Sequence, residues 1–452
     1  MTYEEAMTYI QEAGKTGMSL GLDRMRELCR RLGNPQERLS FIHIAGTNGK
    51  GSTAAYISSI LGVSGYMVGR YVSPAVFQYE ECIQYEDGKG IHYIEKELLA
   101  RCVTEVAVAV EQMAAEEMEP PTVFEIETAV SFLAFVHWQC QVVILEVGLG
   151  GKEDATNVIE EAIASVITPV SMDHKRVLGN TLEEIARQKA GIIKKEGRVI
   201  TFQKKKTAQT VIEKEAEEKK AALTVLKKED MIRISADLKG MVFSYQGENF
   251  RTRMPGSYQM ENACLALEVC RQLPPPFSFT KEQLLKGIGR AVWRGRFEVI
   301  SENPLIISDG AHNPDGAKAL AETVRQLLPD KVLHGIMGVF QDKEYEKIVS
   351  YLASVFADVI TITAPGGRGL DKNVLAEVWR KKGCPIVSTA DSVTLALKEA
   401  LNHRGEEEAV LLFGSLSFFR ELAIDDFWER KDENGKAGKR EKNQCHAHFG
   451  EK

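Results

Sequence analysis

An apolar stretch, Phe41-Ile42-His43-Ile44-Ala45, runs directly into Gly46-Thr47-Asn48-Gly49-Lys50-Gly51-Ser52-Thr53. Residue types in this order suit a phosphate. Glycines let backbone N–H groups close around phosphate oxygens, and a following helix presents its positive end. Lys50 would neutralise β/γ-phosphate charge, and Ser52 or Thr53 could bring a hydroxyl to a Mg²⁺ shell. The segment departs from the G-x-x-x-x-G-K-[ST] loop. Gly46 precedes Gly49 by only three positions, and Gly51 intervenes before Ser52. An ordinary strand-to-helix turn is the competing reading, but the joint order of strand, glycines, lysine, hydroxyls and helix favours phosphate.

Two further clusters carry chemistry. Val142-Val143-Ile144-Leu145-Glu146 ends an apolar run in a carboxylate, followed by Val147-Gly148-Leu149-Gly150-Gly151. A carboxylate ending a buried strand is costly unless paired or metal-bound. Beside a phosphate loop it would ligate Mg²⁺ or hold water; taken alone, it could equally be a charge escaping at a sheet edge. Asp154-Ala155-Thr156-Asn157 and a strand ending in Met172-Asp173-His174 again put polar groups where open α/β sheets bind ligands. A lone histidine such as His174 is more often structural than a ligand. The third cluster is Ser308-Asp309-Gly310-Ala311-His312-Asn313-Pro314-Asp315. Helix entry explains Asn313 as a cap and Pro314 as a first-turn residue, but explains Asp309 and His312 poorly.

The elements that must position these residues alternate. Strands are expected at 41–44, 142–147, 164–168, 199–202, 305–308, 333–337, 359–363 and 410–413. Helices are expected at 52–61, 181–190, 258–272, 315–328, 343–356 and 392–401. Continuous apolar strands separated by helices predict parallel sheets covered on both faces. A break is expected at 290–297, after Pro274-Pro275-Pro276 and around Trp293-Arg294-Gly295-Arg296. This predicts domains at 1–293 and 294–428 and a polar tail at 429–452, in which His446 and His448 read as disordered-tail residues rather than ligands. The charged tract 204–228 reads as a solvated helix or excursion, and Lys189 as a solvated helix lysine. There is no evident internal repeat.

Composition bounds the rest. The 452 residues hold 57 Lys+Arg against 64 Asp+Glu, a net charge of −7, with 44% hydrophobic and 27% charged residues, which excludes wholesale disorder and collagen-like repeats. The richest apolar stretch, 130–147, is broken by His137, Gln139, Gln141 and Glu146, short of the ~20 residues of a membrane span. The N-terminus lacks a secretion-signal pattern. Eight cysteines without a Cys-x-x-Cys pair point to free thiols in a reducing cytoplasm. Mild acidity argues against generic nucleic-acid binding but not against small anions held by a local cluster of N–H groups and lysines.

Taken together in this order, the motifs resemble the folylpolyglutamate synthase/dihydrofolate synthase family, a branch of the Mur ligase superfamily. The resemblance runs from Gly21-Leu22-Asp23-Arg24-Met25 to Gly414-Ser415-Leu416. Besides the three clusters, it includes Lys189-Ala190-Gly191-Ile192-Ile193, Pro255-Gly256-Ser257-Tyr258-Gln259 with Asn262-Ala263, and Gly295-Arg296-Phe297-Glu298. It implies an α/β, Mur-ligase-like fold: a P-loop-type, mainly parallel sheet domain followed by a smaller Rossmann-like α/β domain. The implied activity is ATP-dependent ligation of L-glutamate to a folate (γ-glutamyl chain extension) or to dihydropteroate, through an acyl phosphate, by a monomer.

By the same resemblance, Gly46, Thr47, Asn48, Gly49, Lys50, Gly51 and Ser52 match the family's nucleotide-binding loop. Asn262, Arg296, Asp309 and His312 match positions that contact ATP from the hinge and the second domain. Ser52, Ser73, Glu146 and His174 match Mg²⁺ ligands, with two metal sites implied. Lys189 matches a lysine that is carbamylated in relatives, which makes Lys50, Glu146, His174 and Lys189 the implied catalytic set. Phe124, Glu125, Asp154 and Ala155 fall where relatives hold the pterin or folate.

Several positions depart from the family pattern. Ser-Pro-His-Leu is Ser73-Pro74-Ala75-Val76, and Phe-Asn-Glu-Arg-Ile is Tyr79-Glu80-Glu81-Cys82-Ile83, losing a cation near the substrate loop. Gly-Gly-Arg-Leu-Asp is Gly150-Gly151-Lys152-Glu153-Asp154, and Trp-Pro-Gly-Arg is Trp293-Arg294-Gly295-Arg296. The changes gather where the acceptor would lie. Two other readings compete. A Mur ligase acting on a UDP-linked cell-wall precursor is disfavoured because the phosphate loop begins by residue 46, leaving no separate UDP-binding domain before it. A nucleotide-binding regulator without catalysis would be expected to lose Lys50, Glu146, His174 or Lys189, and all four are present.

Overall fold

Eight strands form the first sheet: β1 (Phe41–Ala45), β2 (Val68–Tyr71), β3 (Ile83–Glu86), β4 (Ile91–Tyr93), β5 (Val142–Glu146), β6 (Ala164–Ile167), β7 (Arg198–Thr201) and β8 (Ala222–Val225). They are seen in a computed structural model that describes residues 1–14, 19–402, 405 and 407–421; the expected tail, with His446 and His448, lies outside the described residues. The order is β4-β3-β2-β5-β1-β6-β7-β8. Pairing is parallel from β2 to β8, with β3 and β4 added antiparallel at one edge. Every residue of β1 and β5 is buried, as their unbroken apolar runs require of strands covered on both faces.

Helix Lys50–Val63 follows β1 and is buried from Gly51 to Gly62, wedged between the sheet and helices Ser257–Gln272 and Lys281–Arg290. Close approach there depends on Gly287, where a Cβ would lie 2.5 Å from Ile60 Cα; Ser59 also donates to the Gly287 carbonyl at 2.8 Å. The opposite face is covered by helices Lys96–Ala115 and Val123–His137. The apolar stretch 130–147 is thus divided between a helix and β5.

An antiparallel meander follows: β9 (Met231–Asp237), β10 (Gly240–Tyr245) and β11 (Glu248–Thr252). The second sheet comprises β12 (Glu298–Glu302), β13 (Leu305–Asp309), β14 (Val332–Met337), β15 (Asp358–Thr361), β16 (Ile386–Thr389) and β17 (Glu408–Phe413), in the order β12-β13-β17-β14-β15-β16. Only β12 runs antiparallel among them. The chain is therefore α/β, with two mainly parallel sheets.

The eight strands expected from apolar runs all form, within a residue or two at their ends. Most of those the sequence hid are edge or half-exposed strands; β2 differs, being only four residues long and interrupted by Gly69 and Arg70, yet fully buried between β3 and β5. Along β9, Met231 is buried but Ile232, Arg233, Ile234 and Ser235 all face solvent, so no burial pattern marks it. For the tract 204–228 the helix reading holds, with one face buried and the rest largely exposed, and the excursion reading does not. Its helix Lys206–Glu218 buries Ala208, Ile212 and Ala216 at four-residue spacing, and the tract continues as the edge strand β8.

Candidate active site between the two sheets

The phosphate-type loop is fixed by close approaches that only glycine permits. Gly46 has φ +148°, and a Cβ there would lie 1.8 Å from Thr168 Oγ1; Gly49 has φ +95°, and its Cβ would lie 2.4 Å from Asn262 Oδ1. The N–H groups of Thr47 and Asn48 both donate to the Pro169 carbonyl, at 3.1 and 3.3 Å. Thr47 Oγ1 donates to Ser171 O at 3.1 Å and accepts from Ser171 N at 3.0 Å. The loop is thereby stitched to the carboxyl end of β6. Helix Lys50–Val63 then starts with Lys50, Gly51 and Ser52 in its first turn, whose amides have no intrahelical acceptor. A helix N-terminus carrying a lysine is an anion site.

Parallel pairing of β1 with β5 sets Ile44 opposite Glu146, which brings that carboxylate beside the loop. Lys50 Nζ is 3.6 Å from Glu146 Oε1. Burial raises the Glu146 pKa, and Lys50 and then Arg296 oppose that rise. Arg296 belongs to the segment entering the second sheet, so cations from both sheets act on one carboxylate.

Lys189 is not a solvated helix lysine, contrary to the reading of its sequence. It is buried, and Nζ donates to the Gly46 carbonyl at 2.9 Å. Burial first, and Lys50 second, bring its pKa down to about 7. The apolar face of its helix, with Ile185, Ala186 and Ala190, carries it inward. Periodicity does place position 189 on the buried stripe, but a lysine there is ordinarily read as snorkelling outward.

Asp173 is a hub between the sheets. Its Oδ1 accepts from Lys343 Nζ at 2.8 Å, and its Oδ2 lies 3.8 Å from both His312 Nε2 and His174 Nε2. Burial alone would raise its pKa, but Lys343, His312 and His174 hold it well below the usual carboxylate range. Burial brings His174 and His312 down to about 4, against the opposing pull of Asp173. Both rings are therefore neutral at pH 7, with a lone pair free to bind a cation. Lys175–Glu344 and Lys205–Asp315 ion pairs, each 2.9 Å, flank the contact. Above them, Asn48 and Asn313 exchange reciprocal amide hydrogen bonds at 3.2 and 2.8 Å, while Asn313 also caps helix Pro314–Leu327 through Gly316 N.

Neither Lys343 nor the coupling role of Asn313 was signalled by the sequence, since a lysine near a helix start and a helix cap both have ordinary explanations. Lys343 and Asp173 side chains are only 7% and 9% exposed. Lys343→Met should leave a buried carboxylate short of its main cation, at a cost of about 3–5 kcal/mol for the pair. The expected result is a larger radius of gyration by small-angle scattering and a lower kcat. Unchanged values of both would contradict the pair's role in holding the sheets together.

Asp309, at the end of β13, is fully engaged. Its Oδ2 accepts from Tyr258 OH at 3.0 Å and Phe297 N at 2.9 Å, and its Oδ1 from Ala311 N at 2.8 Å. Those bonds fix the turn that presents Arg296, in which buried Phe297 sits at φ +49°. A Cβ at Gly310 would lie 2.3 Å from Arg296 Nη1, so the missing side chain makes room for the guanidinium. Asn262 is buried and donates to Gln259 Oε1 at 3.1 Å, with its carbonyl oxygen against Gly49.

The possible metal donors are a hydroxyl at Ser52, a hydroxyl at Ser73 just beyond β2, the Glu146 carboxylate and neutral His174. Among the described residues, no three His, Cys, Asp or Glu side chains gather closely enough to hold an ion alone. This fits Mg²⁺, which commonly takes one or two protein carboxylates and completes its shell with phosphates and water.

The acceptor candidates divide. Phe124 is half-buried, over Gly148, where a Cβ would be 2.4 Å from its ring, and its centroid is 5.9 Å from that of Tyr71. Glu125 is occupied: Oε2 accepts from Thr122 N at 2.7 Å and Arg24 Nε at 3.2 Å, leaving buried Oε1 unpartnered. Asp154 accepts from the backbone amides of Leu149 at 2.8 Å and Thr156 at 3.0 Å, shaping the loop that carries buried Ala155.

The chain is similar to known proteins over nearly its whole length. Residues 44–270 match the Mur ligase middle domain, and residues 295–416 match the Mur ligase glutamate ligase domain. The dihydrofolate synthase/folylpolyglutamate synthase of Bacillus subtilis is 34% identical over 429 residues, covering 93% of this chain and 98% of that protein. Mycobacterium tuberculosis folylpolyglutamate synthase complexed with ADP and AMPPCP superposes with a TM-score of 0.82 at 27% identity, covering 95% of this chain and 99% of that one. E. coli FolC in complex with DHPP and ADP gives a TM-score of 0.82 at 29% identity, over 94% and 98% of the two chains.

Proposed function

The chain belongs to the folylpolyglutamate synthase/dihydrofolate synthase family of the Mur ligase superfamily, and from that premise we propose residue roles, metal use and a second acceptor for it. It is an ATP-dependent ligase that joins L-glutamate to folate. The observation that carries the residue assignment is the convergence of Lys50 and Arg296, one from each sheet, on Glu146 at a helix N-terminus.

A carboxylate is a poor acyl donor. Transfer of the γ-phosphoryl group to it gives an acyl phosphate, a step that needs positioning and positive charge more than covalent help. Lys50 and Arg296 supply that charge, and the first-turn amides orient the phosphates. The glutamate amine then attacks the acyl carbon, and the tetrahedral intermediate collapses with loss of phosphate; nearby cations stabilise its oxyanion. Ser52, Ser73, Glu146 and His174 would hold Mg²⁺, which when bound neutralises phosphate charge. Asn262, Asp309 and His312 frame the nucleotide, Asp309 by fixing the Arg296 turn.

Lys189 is suited to carbamylation. With its pKa near 7 the amine is substantially neutral at physiological pH. The neutral amine's lone pair can form the C–N bond to CO₂ with release of one proton, converting the buried neutral amine into a carbamate anion. Phe124 and Ala155 supply the acceptor wall, while Glu125 and Asp154 shape it.

Dihydropteroate is a second acceptor in this reading, supported by the double name of the Bacillus subtilis relative. The domains are 1–293 and 294–428. A monomeric, cytoplasmic protein fits the free, buried cysteines among the described residues, where no helix is long and apolar enough to cross a membrane. The test is ADP release with Mg-ATP and glutamate against tetrahydrofolate, dihydropteroate and a UDP-muramoyl acceptor. Turnover with both folate-type acids is expected. Turnover with tetrahydrofolate alone would remove the second acceptor, and turnover only with the UDP substrate would overturn the reading.

A further inference from the structure

The segment between β2 and β3 bridges two regions. Its start, Val76, packs in the second sheet's cluster with Ile306, Leu416 and Phe419, and Phe77 stacks on Phe419 at 6.4 Å. Its far end, Tyr79, sits beside Glu127 and Tyr71, next to Phe124. On the acceptor reading of Phe124, the loop continues that wall, and its backbone is held from within: Glu81 Oε2 accepts from Val76 N at 2.9 Å and Phe77 N at 3.0 Å.

Two arginines tie this loop to the hinge in a crossed arrangement. Arg70, on β2, places its guanidinium 5.1 Å from the centroid of hinge residue Trp293. Arg294, in the hinge, places its guanidinium 4.3 Å from the centroid of Phe77 in the loop. Each side supplies one cation and one ring. Among the described residues Arg70 is buried without a close carboxylate partner: Nε donates to Gln84 Oε1 at 2.9 Å, Nη1 has no partner, and Gln84 in turn donates to the Glu81 carbonyl. Burial pushes its pKa down. A buried guanidinium kept without an ion pair is costly, so its contact with the hinge ring calls for a reason beyond stability.

We propose that Arg70 and Arg294 are positioning residues for the acceptor: Arg294 on Phe77 clamps loop residues 76–82 to the hinge, Arg70 on Trp293 holds β2 and, through Gln84, the start of β3 to the same hinge, and together they set the acceptor wall. The hinge cation and the loop it touches both depart from the family pattern. Arg294 replaces a proline of the family pattern, and the loop itself, Tyr79-Glu80-Glu81-Cys82, has lost its own cation. In this chain the cation contacting the loop comes from the hinge instead. The inference rests on the acceptor-wall reading of Phe124 and its neighbours.

The test is a double-mutant cycle on Arg294→Met and Phe77→Leu, read as KM for the folate acceptor and for ATP. Each single change should raise acceptor KM about three- to fivefold, the range of a half-exposed cation–π contact. ATP KM should stay within about twofold, and the double variant should be no worse than either single one. Arg294→Lys should restore most of the affinity. Glu298→Gln, which removes the ion pair to Arg294 but leaves the stack, should leave acceptor KM unchanged. Arg70→Met, at the buried contact, should have the larger effect. Additive single effects, parallel rises in both KM values, or a Glu298→Gln phenotype equal to Arg294→Met would overturn the clamp. Phe124→Ala tests the wall separately. If it raises acceptor KM while the cycle shows no coupling, the clamp alone fails; if it changes nothing, the wall reading fails whatever the cycle gives.

Discussion

Lys50→Met should abolish ADP formation, by about 10³-fold or more in kcat, while leaving the protein folded. Removal of a single preorganised charge that stabilises a transition state costs about 10²–10³ in rate, and phosphoryl transfer depends almost wholly on such charges. Lys50 is the loop's only lysine and the nearest cation to Glu146, at 3.6 Å. Its loss leaves that buried carboxylate with Arg296 as the leading opposing charge, so burial would push the Glu146 pKa further up. A protonated Glu146 would also be a poor metal ligand, compounding the defect. The melting temperature should move little, since a neutral carboxylic acid is tolerated in that site. ADP release at near wild-type rate would disprove the phosphate role of Lys50.

Lys189→Met should separate stability from activity. The folded-state pKa of Lys189 is depressed from 10.5 to about 7. Between those values the unfolded chain binds a proton that the folded chain does not, so this residue makes stability rise with pH across that window. Below about pH 7 the full penalty of burying the charged amine applies. Methionine removes it. The variant should be more stable than wild type at pH 6, by about 1–4 kcal/mol, and the gain should vanish as pH approaches 10.5. Activity should fall by about 10²-fold or more if the carbamate serves the site. Isotopically labelled bicarbonate would report the carbamate directly by NMR in the wild type. A variant that is active, or one destabilised equally at pH 6 and pH 10, would contradict the assignment.

Fold class and most of the loop chemistry are legible in the order of residues. Short apolar runs such as 142–145 suit strands covered on both faces, and the glycines at 46 and 49 announce a tight turn into a helix. The order of motifs sufficed for the family because each is local, and local spacing survives translation into structure. Edge strands were not legible, because β9 and β12 have no buried face to impose a period.

Which distant groups meet is set by packing and not by local spacing. Helical periodicity puts Lys189 on an apolar face, but nothing local says its amine turns inward to the Gly46 carbonyl, 143 positions away. Asp173 and Lys343 stand 170 positions apart, and Asn48 and Asn313 265 apart. Charge on such residues reads as solvation in sequence, because the cost of burying it is set by neighbours that only the packing of the two sheets supplies. The crossed contacts of Arg70 and Arg294 belong to the same class. Sequence marks Arg294 as a departure from a pattern and is silent on Arg70; the fold makes both part of a connection to the hinge.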